Sequence, residues 1–263
     1  MAKYIVGIDL GTTNSALACC DATAAEGKSQ IEVRSIPQLV DLKEVAERTL
    51  LPSFLYIPGE FDFPKGSLAL PWEPEPKLVI GELARKRGAE SPNRLVASAK
   101  SWLSYSAVNR TAPILPWQAP EEVPKLSPVE ASSQFLQYLR TVWDSGEAGE
   151  RRQFALAEQD VLLTVPASFD EEARELTRRA AEQAGRQTDD RRRGRRAEIV
   201  EWHGGVRQST EDAVRIGTGI QRGTRATTGA ARTAATTRAA TRAARRQRAD
   251  VGQGAVSKIN YAE

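Results

Sequence analysis

The hydrophobic patterning of this 263-residue chain stops at Gly185, and that break limits what it can fold into more than any other feature. From Gln187 to Glu263 there is no Leu, Phe or Met, and only 11 of 77 residues are Ile, Val, Trp or Tyr. So little apolar surface does not offset a backbone ordering cost of roughly 1–2 kcal/mol per residue. Residues 186–263 are therefore expected to form a largely disordered, basic, low-complexity tail. They hold 17 Lys and Arg against 8 Asp and Glu, whereas residues 1–185 hold 20 against 26. The net charge of +3 averages two segments of opposite sign, and its near balance argues against a dedicated nucleic-acid binder.

Residues 1–185 carry ordinary folding signals. Tyr4–Ile8 and Ser15–Cys20 read as a strand–turn–strand hairpin around Gly11-Thr12-Thr13-Asn14. Cys19 and Cys20, the only cysteines, then face opposite sides of one strand, as small hydrophobes rather than a redox or metal pair. No disulfide framework is available, which fits a reducing, cytoplasmic compartment. The N-terminus reaches Asp9 before a signal-peptide core could form, and no apolar run approaches the roughly twenty residues of a membrane span.

Leu51–Pro58 reads as extended, Lys77–Gly81 as a short strand, and the Gly/Pro/aromatic stretch between them as an excursion at a sheet edge. Ser127-Pro128-Val129-Glu130 is a capping box, and Ala131, Phe135, Leu139 and Val142 give the following helix its apolar stripe. Asp160–Pro166 reads as a buried strand. Ser168-Phe169-Asp170-Glu171 reads as a second capping box, opening a helix that runs through Ala184 and stops at Gly185. A strand leading directly into a helix is the grammar of an α/β fold.

Ile8-Asp9-Leu10-Gly11-Thr12-Thr13-Asn14-Ser15 carries most of the chemistry. Glycine lets the backbone approach a ligand, and the following amides and threonine hydroxyls can donate to phosphate oxygens. Asp9 at the strand end suits the water shell of a magnesium ion. On residue types alone, an ordinary Gly-Thr hairpin turn accounts for the same octapeptide.

The octapeptide resembles the first phosphate motif of the actin-like ATPases, and the residues after it resemble the N-terminal part of the ATPase domain of the heat shock protein 70 chaperone family. Leu51-Pro52-Ser53, Val79-Ile80-Gly81, Ala99-Lys100 and Thr164–Phe169 followed by Arg174 match in order, covering nearly all of residues 1–185. The resemblance implies an incomplete actin-like lobe over 1–185, a ribonuclease-H-like mixed sheet with flanking helices. ATP and Mg2+ are the implied cofactors, with unfolded proteins and co-chaperones as partners of the full-length family.

The resemblance also assigns residues. Asp9 would organise magnesium, Thr12 would face the terminal phosphate, and Gly11, Thr13 and Asn14 would cradle the inner ones. Lys100 would be the catalytic lysine, and Pro166 and Arg174 would relay nucleotide state between domains. Without the family, Lys100 reads as a surface helix lysine, Pro166 as a strand terminator and Arg174 as a solvated helix residue.

Residues 59–77 make the first lobe longer than the family pattern. After Gly185 the pattern would call for a hydrophobic strand, a Glu-Pro segment and a second Gly-rich phosphate loop, and the sequence shows none of these. Residues 186–263 are thus read as an unrelated tail, disordered or frameshifted, and the chain as a truncated ATPase with weak or undetectable ATP binding. Two other readings stand beside it. One is a nucleic-acid or acidic-partner module acting through Arg191–Arg196, with few aromatics to support it. The other is a carbohydrate kinase of the same superfamily. His203, the single histidine, has no cysteine or second histidine nearby to complete a metal site.

Overall fold

Strands β1 (Tyr4–Asp9) and β2 (Asn14–Asp21) pair antiparallel with Val6 opposite Cys19 and Asp9 opposite Ala16. They form the expected hairpin. In a computed structural model the described residues are 2–25, 28–146, 151–186 and 198–202, all within one unit, Met1–Gly219.

β3 (Glu32–Val33) extends the hairpin antiparallel to β2, while β10 (Asp160–Pro166) lies parallel to β1 on its other side. β11 (Glu198–Trp202) adds a further parallel strand beside β10. The resulting order is β11-β10-β1-β2-β3, a mixed sheet. β11 corrects the sequence reading, which found no strand after Gly185. Glu198-Ile199-Val200-Glu201-Trp202 is a short apolar run inside a basic stretch, and its pairing with Leu162–Pro166 is what makes it a strand. The rest of the tail expected over 186–263, residues 187–197 and 203–263, lies outside the described residues.

The remaining strands form smaller assemblies. β4 (Ile36–Asp41) and β5 (Glu44–Arg48) make a hairpin. β6 (Leu51–Pro52) pairs with the start of β2, and β7 (Phe54–Tyr56) sits between β8 (Val79–Ile80) and β9 (Leu95–Ala97). Leu51–Pro58 is thus split at Ser53, which passes the chain from one sheet to another. The strand read over Lys77–Gly81 is narrower, Val79–Ile80. Residues 59–77 leave β7 and return to β8 at the edge of the small sheet. They are held at the base by Asp62, whose carboxylate accepts from Tyr56 Oη at 2.7 Å and the Gly59 amide at 2.8 Å.

Period-two alternation assigns the faces of the large sheet. Val6, Ile8, Leu17, Cys19 and Leu163 share one buried cluster with helices α3 (Pro128–Ser145) and α4 (Glu171–Arg186). Ile5, Ala18, Cys20 and Leu162 form a separate cluster. Cys19 and Cys20 therefore do fall on opposite faces. α3 contributes the expected Ala131, Phe135, Leu139 and Val142, and α4 contributes Leu176, Ala180 and Ala184.

Ser127 caps α3 as its sequence indicates: Ser127 Oγ accepts from the Glu130 amide at 3.1 Å, and Glu130 Oε2 accepts from the Ser127 amide at 2.7 Å. Ser127→Ala is expected to lower stability by about 1 kcal/mol, measured as a shift in the urea midpoint without a change in slope.

α4 differs from its expected boundaries. Its cap is Asp170, not Ser168: Asp170 Oδ1 accepts from the Ala173 amide at 2.7 Å. A carboxylate immediately before the helix reaches the third-residue amide directly, so the Ser168 box is not used. The helix also runs through Gly185 to Arg186, because Arg140 Nη1 donates to the Ala184 and Gly185 carbonyls at 3.4 and 2.8 Å. Those late carbonyls gain a partner from α3.

Two helices complete the fold, α1 (Glu82–Glu90) and α2 (Ala99–Ser104). Gly81, at φ 94, leads into α1, and a Cβ there would meet Gln38 Oε1 at 2.6 Å. That oxygen instead accepts from the Glu82 amide at 3.0 Å, so a buried side chain from β4 caps α1. Among the described residues no helix is long and apolar enough to cross a membrane.

Candidate functional site

β1 and β10 run parallel, so their C-terminal ends emerge at the same edge of the sheet. Asp9 ends β1 and pairs in register with Thr164 of β10. Thr164 Oγ1, buried, donates to Asp9 Oδ1 at 3.0 Å and fixes the carboxylate at the edge. The parallel pairing is thus what orients the acidic group.

The turn after Asp9 is unusually tight. A Cβ on Gly11 would lie 1.8 Å from the Asn14 carbonyl oxygen, so no other residue fits without opening the turn. Ser53 braces it from outside: Ser53 Oγ donates to the Gly11 carbonyl at 2.8 Å, and the Ser53 amide donates to the Thr13 carbonyl at 2.8 Å. Ser15 Oγ and Ser53 Oγ lie 3.0 Å apart, and Pro52 stands opposite Asn14. Leu51-Pro52-Ser53 therefore shapes the octapeptide turn directly. Thr12 and Thr13 are left exposed at its tip, with Asn14 half-buried where β2 begins.

Lys100 enters from α2, which follows Ser98 in the left-handed region at φ 54. It is 6% exposed, not the surface lysine that composition suggests. Its Nζ lies 5.9 Å from the centroid of Phe169. Burial pushes its pKa below the ordinary lysine range, and the Asp9 carboxylate partly opposes that shift. Asp9 and Lys100, 91 positions apart, therefore share one electrostatic environment.

Pro166, Phe169 and Arg174 belong to one strand–turn–helix unit. Pro166 ends β10, Phe169 lies beneath Lys100, and Arg174 sits in the first turns of α4 with Nη1 3.9 Å from Glu171 Oε2. Arg174 also adds its field to the Asp170 carboxylate. The structure thus brings together Asp9, the Gly11–Asn14 turn, Lys100 and the Pro166–Arg174 unit.

Sequence reasoning missed Arg110. It is buried and forms a bidentate pair with Asp170, Nη1 to Oδ1 at 3.2 Å and Nη2 to Oδ2 at 3.1 Å. Asp170 is held below the usual carboxylate range, first by Arg110 and then by the Ala173 amide. Arg110 stands in a polar loop with no motif around it, so no local signal marks it. A cavity of about 270 Å3 lined by Phe63, Pro64 and Pro76 lies in the 59–77 excursion, and no residue of the Gly11–Asn14 turn lines it.

The fold and this edge define a mixed α/β protein with a braced Gly-Thr turn beside an acidic residue and a buried lysine. No family model matches the chain. Curated relatives do: it is 31% identical to a chaperone protein HscA homolog from Pasteurella multocida, over 70% of this chain and 26% of the relative. It is 32% identical to the one from Bordetella petrii, over 70% and 25%, and 33% identical to that from Haemophilus influenzae, over 70% and 26%. The matched part of the chain is a relative of the heat shock protein 70 chaperones, corresponding to the N-terminal part of their ATPase domain. The chain spans about a quarter of the length of these relatives.

Proposed function

We propose that this chain supplies the phosphate-addressing half of an ATP-dependent chaperone ATPase. The observation that carries the reading is the convergence of Asp9, the Gly11–Asn14 turn and the buried Lys100 at one sheet edge. Supporting it, a hairpin followed by parallel strands in the order β3-β2-β1-β10-β11 suits the first lobe of an actin-like, ribonuclease-H-like ATPase.

The residues fit a magnesium nucleotide. A tight turn with exposed threonines offers neutral donors, Asp9 offers a hard oxygen ligand, and Lys100 offers a cation. When bound, the metal nucleotide supplies an electrophilic terminal phosphoryl group and its counter-charge. Asp9, held by Thr164, would orient the metal's water shell. Thr12 would donate to the terminal phosphate, and the Thr13 and Asn14 amides would donate to the inner phosphates past Gly11. Lys100, desolvated against Phe169, would stabilise charge on the transferred group, because a cation acts more strongly in a water-poor setting. Pro166 and Arg174, on the strand and helix flanking Phe169, would carry the state of that site outward. Unfolded proteins and co-chaperones are the partners this reading implies for a full-length relative.

These groups address phosphates and leave adenine uncontacted, so weak affinity is expected. A thermal-shift titration with ATP and Mg2+ into the millimolar range tests the reading. Melting temperature should rise with nucleotide, and Asp9→Asn should abolish the magnesium-dependent part of the rise. Equal responses of Asp9→Asn and the unaltered chain, or no response of the latter, would remove the proposal's basis. No observation favours a carbohydrate kinase. Arg191–Arg196, on which the nucleic-acid reading rests, lie outside the described residues, as does His203.

A further inference from the structure

Lys100 is buried on a helix of only six residues, and a short helix does not hold a desolvated cation in place unaided. The group that ties this helix down is Arg110. Its Nη1 donates to the Leu103 carbonyl of α2 at 3.2 Å, while the same guanidinium grips Asp170 bidentately. Asp170 follows Phe169, the residue under the Lys100 ammonium, and caps α4 through the Ala173 amide. Glu172 adds a carboxylate oxygen 3.4 Å from Arg110 Nη1. One fork thus links the element that carries Lys100 to the turn on which Lys100 rests.

We propose that Arg110 is a positioning residue, holding α2 against the β10–α4 turn so that the Lys100 ammonium stays packed on Phe169 and facing Asp9. The planar guanidinium matters as much as its charge. A point-charge ammonium cannot bind both carboxylate oxygens and a carbonyl in one plane. Asp170 is 52% exposed at its side chain and Arg110 5%. The pair is therefore a clamp anchored from the buried side, with its acidic member open to solvent. This inference rests on the assignment of Lys100 to the nucleotide site, but its consequence can be read without nucleotide.

The experiment measures acylation of Lys100 by N-hydroxysuccinimidyl acetate in the folded chain, by peptide mass spectrometry, between about pH 7 and 11. Asp9 is the charged group that acts on Lys100 among the described residues, and it is unaltered throughout. In the unaltered chain the midpoint should fall below that of an ordinary lysine. In Arg110→Ala it should rise toward about 10.4, because a released α2 lets water reach the ammonium. Arg110→Lys should behave like Arg110→Ala. Asp170→Ser breaks the fork while keeping a good helix cap, so it should show the same rise and decides the matter should Arg110→Ala not fold. An unchanged midpoint in Asp170→Ser with helical signal retained overturns the proposal, as does an Arg110→Lys midpoint equal to that of the unaltered chain. Absence of an ATP-dependent thermal shift in the unaltered chain, with these midpoints behaving as stated, counts against the nucleotide reading and leaves the clamp standing.

Discussion

Replacing Gly11 by alanine should cost about 3 kcal/mol and eliminate the ATP-dependent rise in melting temperature. The added methyl would stand 1.8 Å from the Asn14 carbonyl oxygen, a backbone atom that cannot swing aside. Relief requires Asn14 to move, and Asn14 opens β2 and pairs with Pro52 of β6. The strain would therefore spread into the Ser53 brace, whose bonds to the Gly11 and Thr13 carbonyls are both 2.8 Å. Urea denaturation gives the stability term and thermal titration the binding term. An alanine variant as stable as its parent would show that the turn can open at little cost.

An effect of similar size is expected at a residue far from the Gly11–Asn14 turn. Gln159 is fully buried just before β10 and uses its whole amide. Its Oε1 accepts from the Lys3 and Tyr4 amides at 3.2 and 3.0 Å, and its Nε2 donates to the Gln153 and Ala155 carbonyls at 2.9 and 3.2 Å. It sets the start of β1 against the start of β10, and the register of those strands places Asp9 beside Thr164. Gln159→Leu keeps the approximate volume but strands two amides and two carbonyls. A loss of about 3 kcal/mol is expected, read as a lower urea midpoint. A change below about 1 kcal/mol would mean that water or a local shift satisfies those groups.

Features with local causes were legible in the sequence. The β1–β2 hairpin, the capped α3 and the strand before Pro166 each announce themselves within a dozen residues, through alternation, a capping box or a terminating proline. Features with distant causes were not. α1, Glu-Leu-Ala-Arg-Lys-Arg-Gly-Ala-Glu, has a weak apolar stripe and no side-chain cap of its own, and its cap comes from Gln38, 44 positions earlier. β11 exists through its partner β10. The Gly11–Asn14 turn, Lys100 and the Pro166–Arg174 unit could be nominated from ordered motifs. The burial of Lys100, the brace of Ser53 on Gly11 and the grip of Arg110 on Asp170 depend on packing that spacing along the chain does not encode.

The two neighbouring thiols give the large sheet a reporter on each side. Cys19 belongs to the cluster beneath α3 and α4, and Cys20 to the cluster across the sheet, where burial pushes its thiol pKa up. A thiol-specific label reaching one before the other reveals which layer of the protein parts first. The chain can thus be interrogated for its weakest seam without introducing a foreign probe.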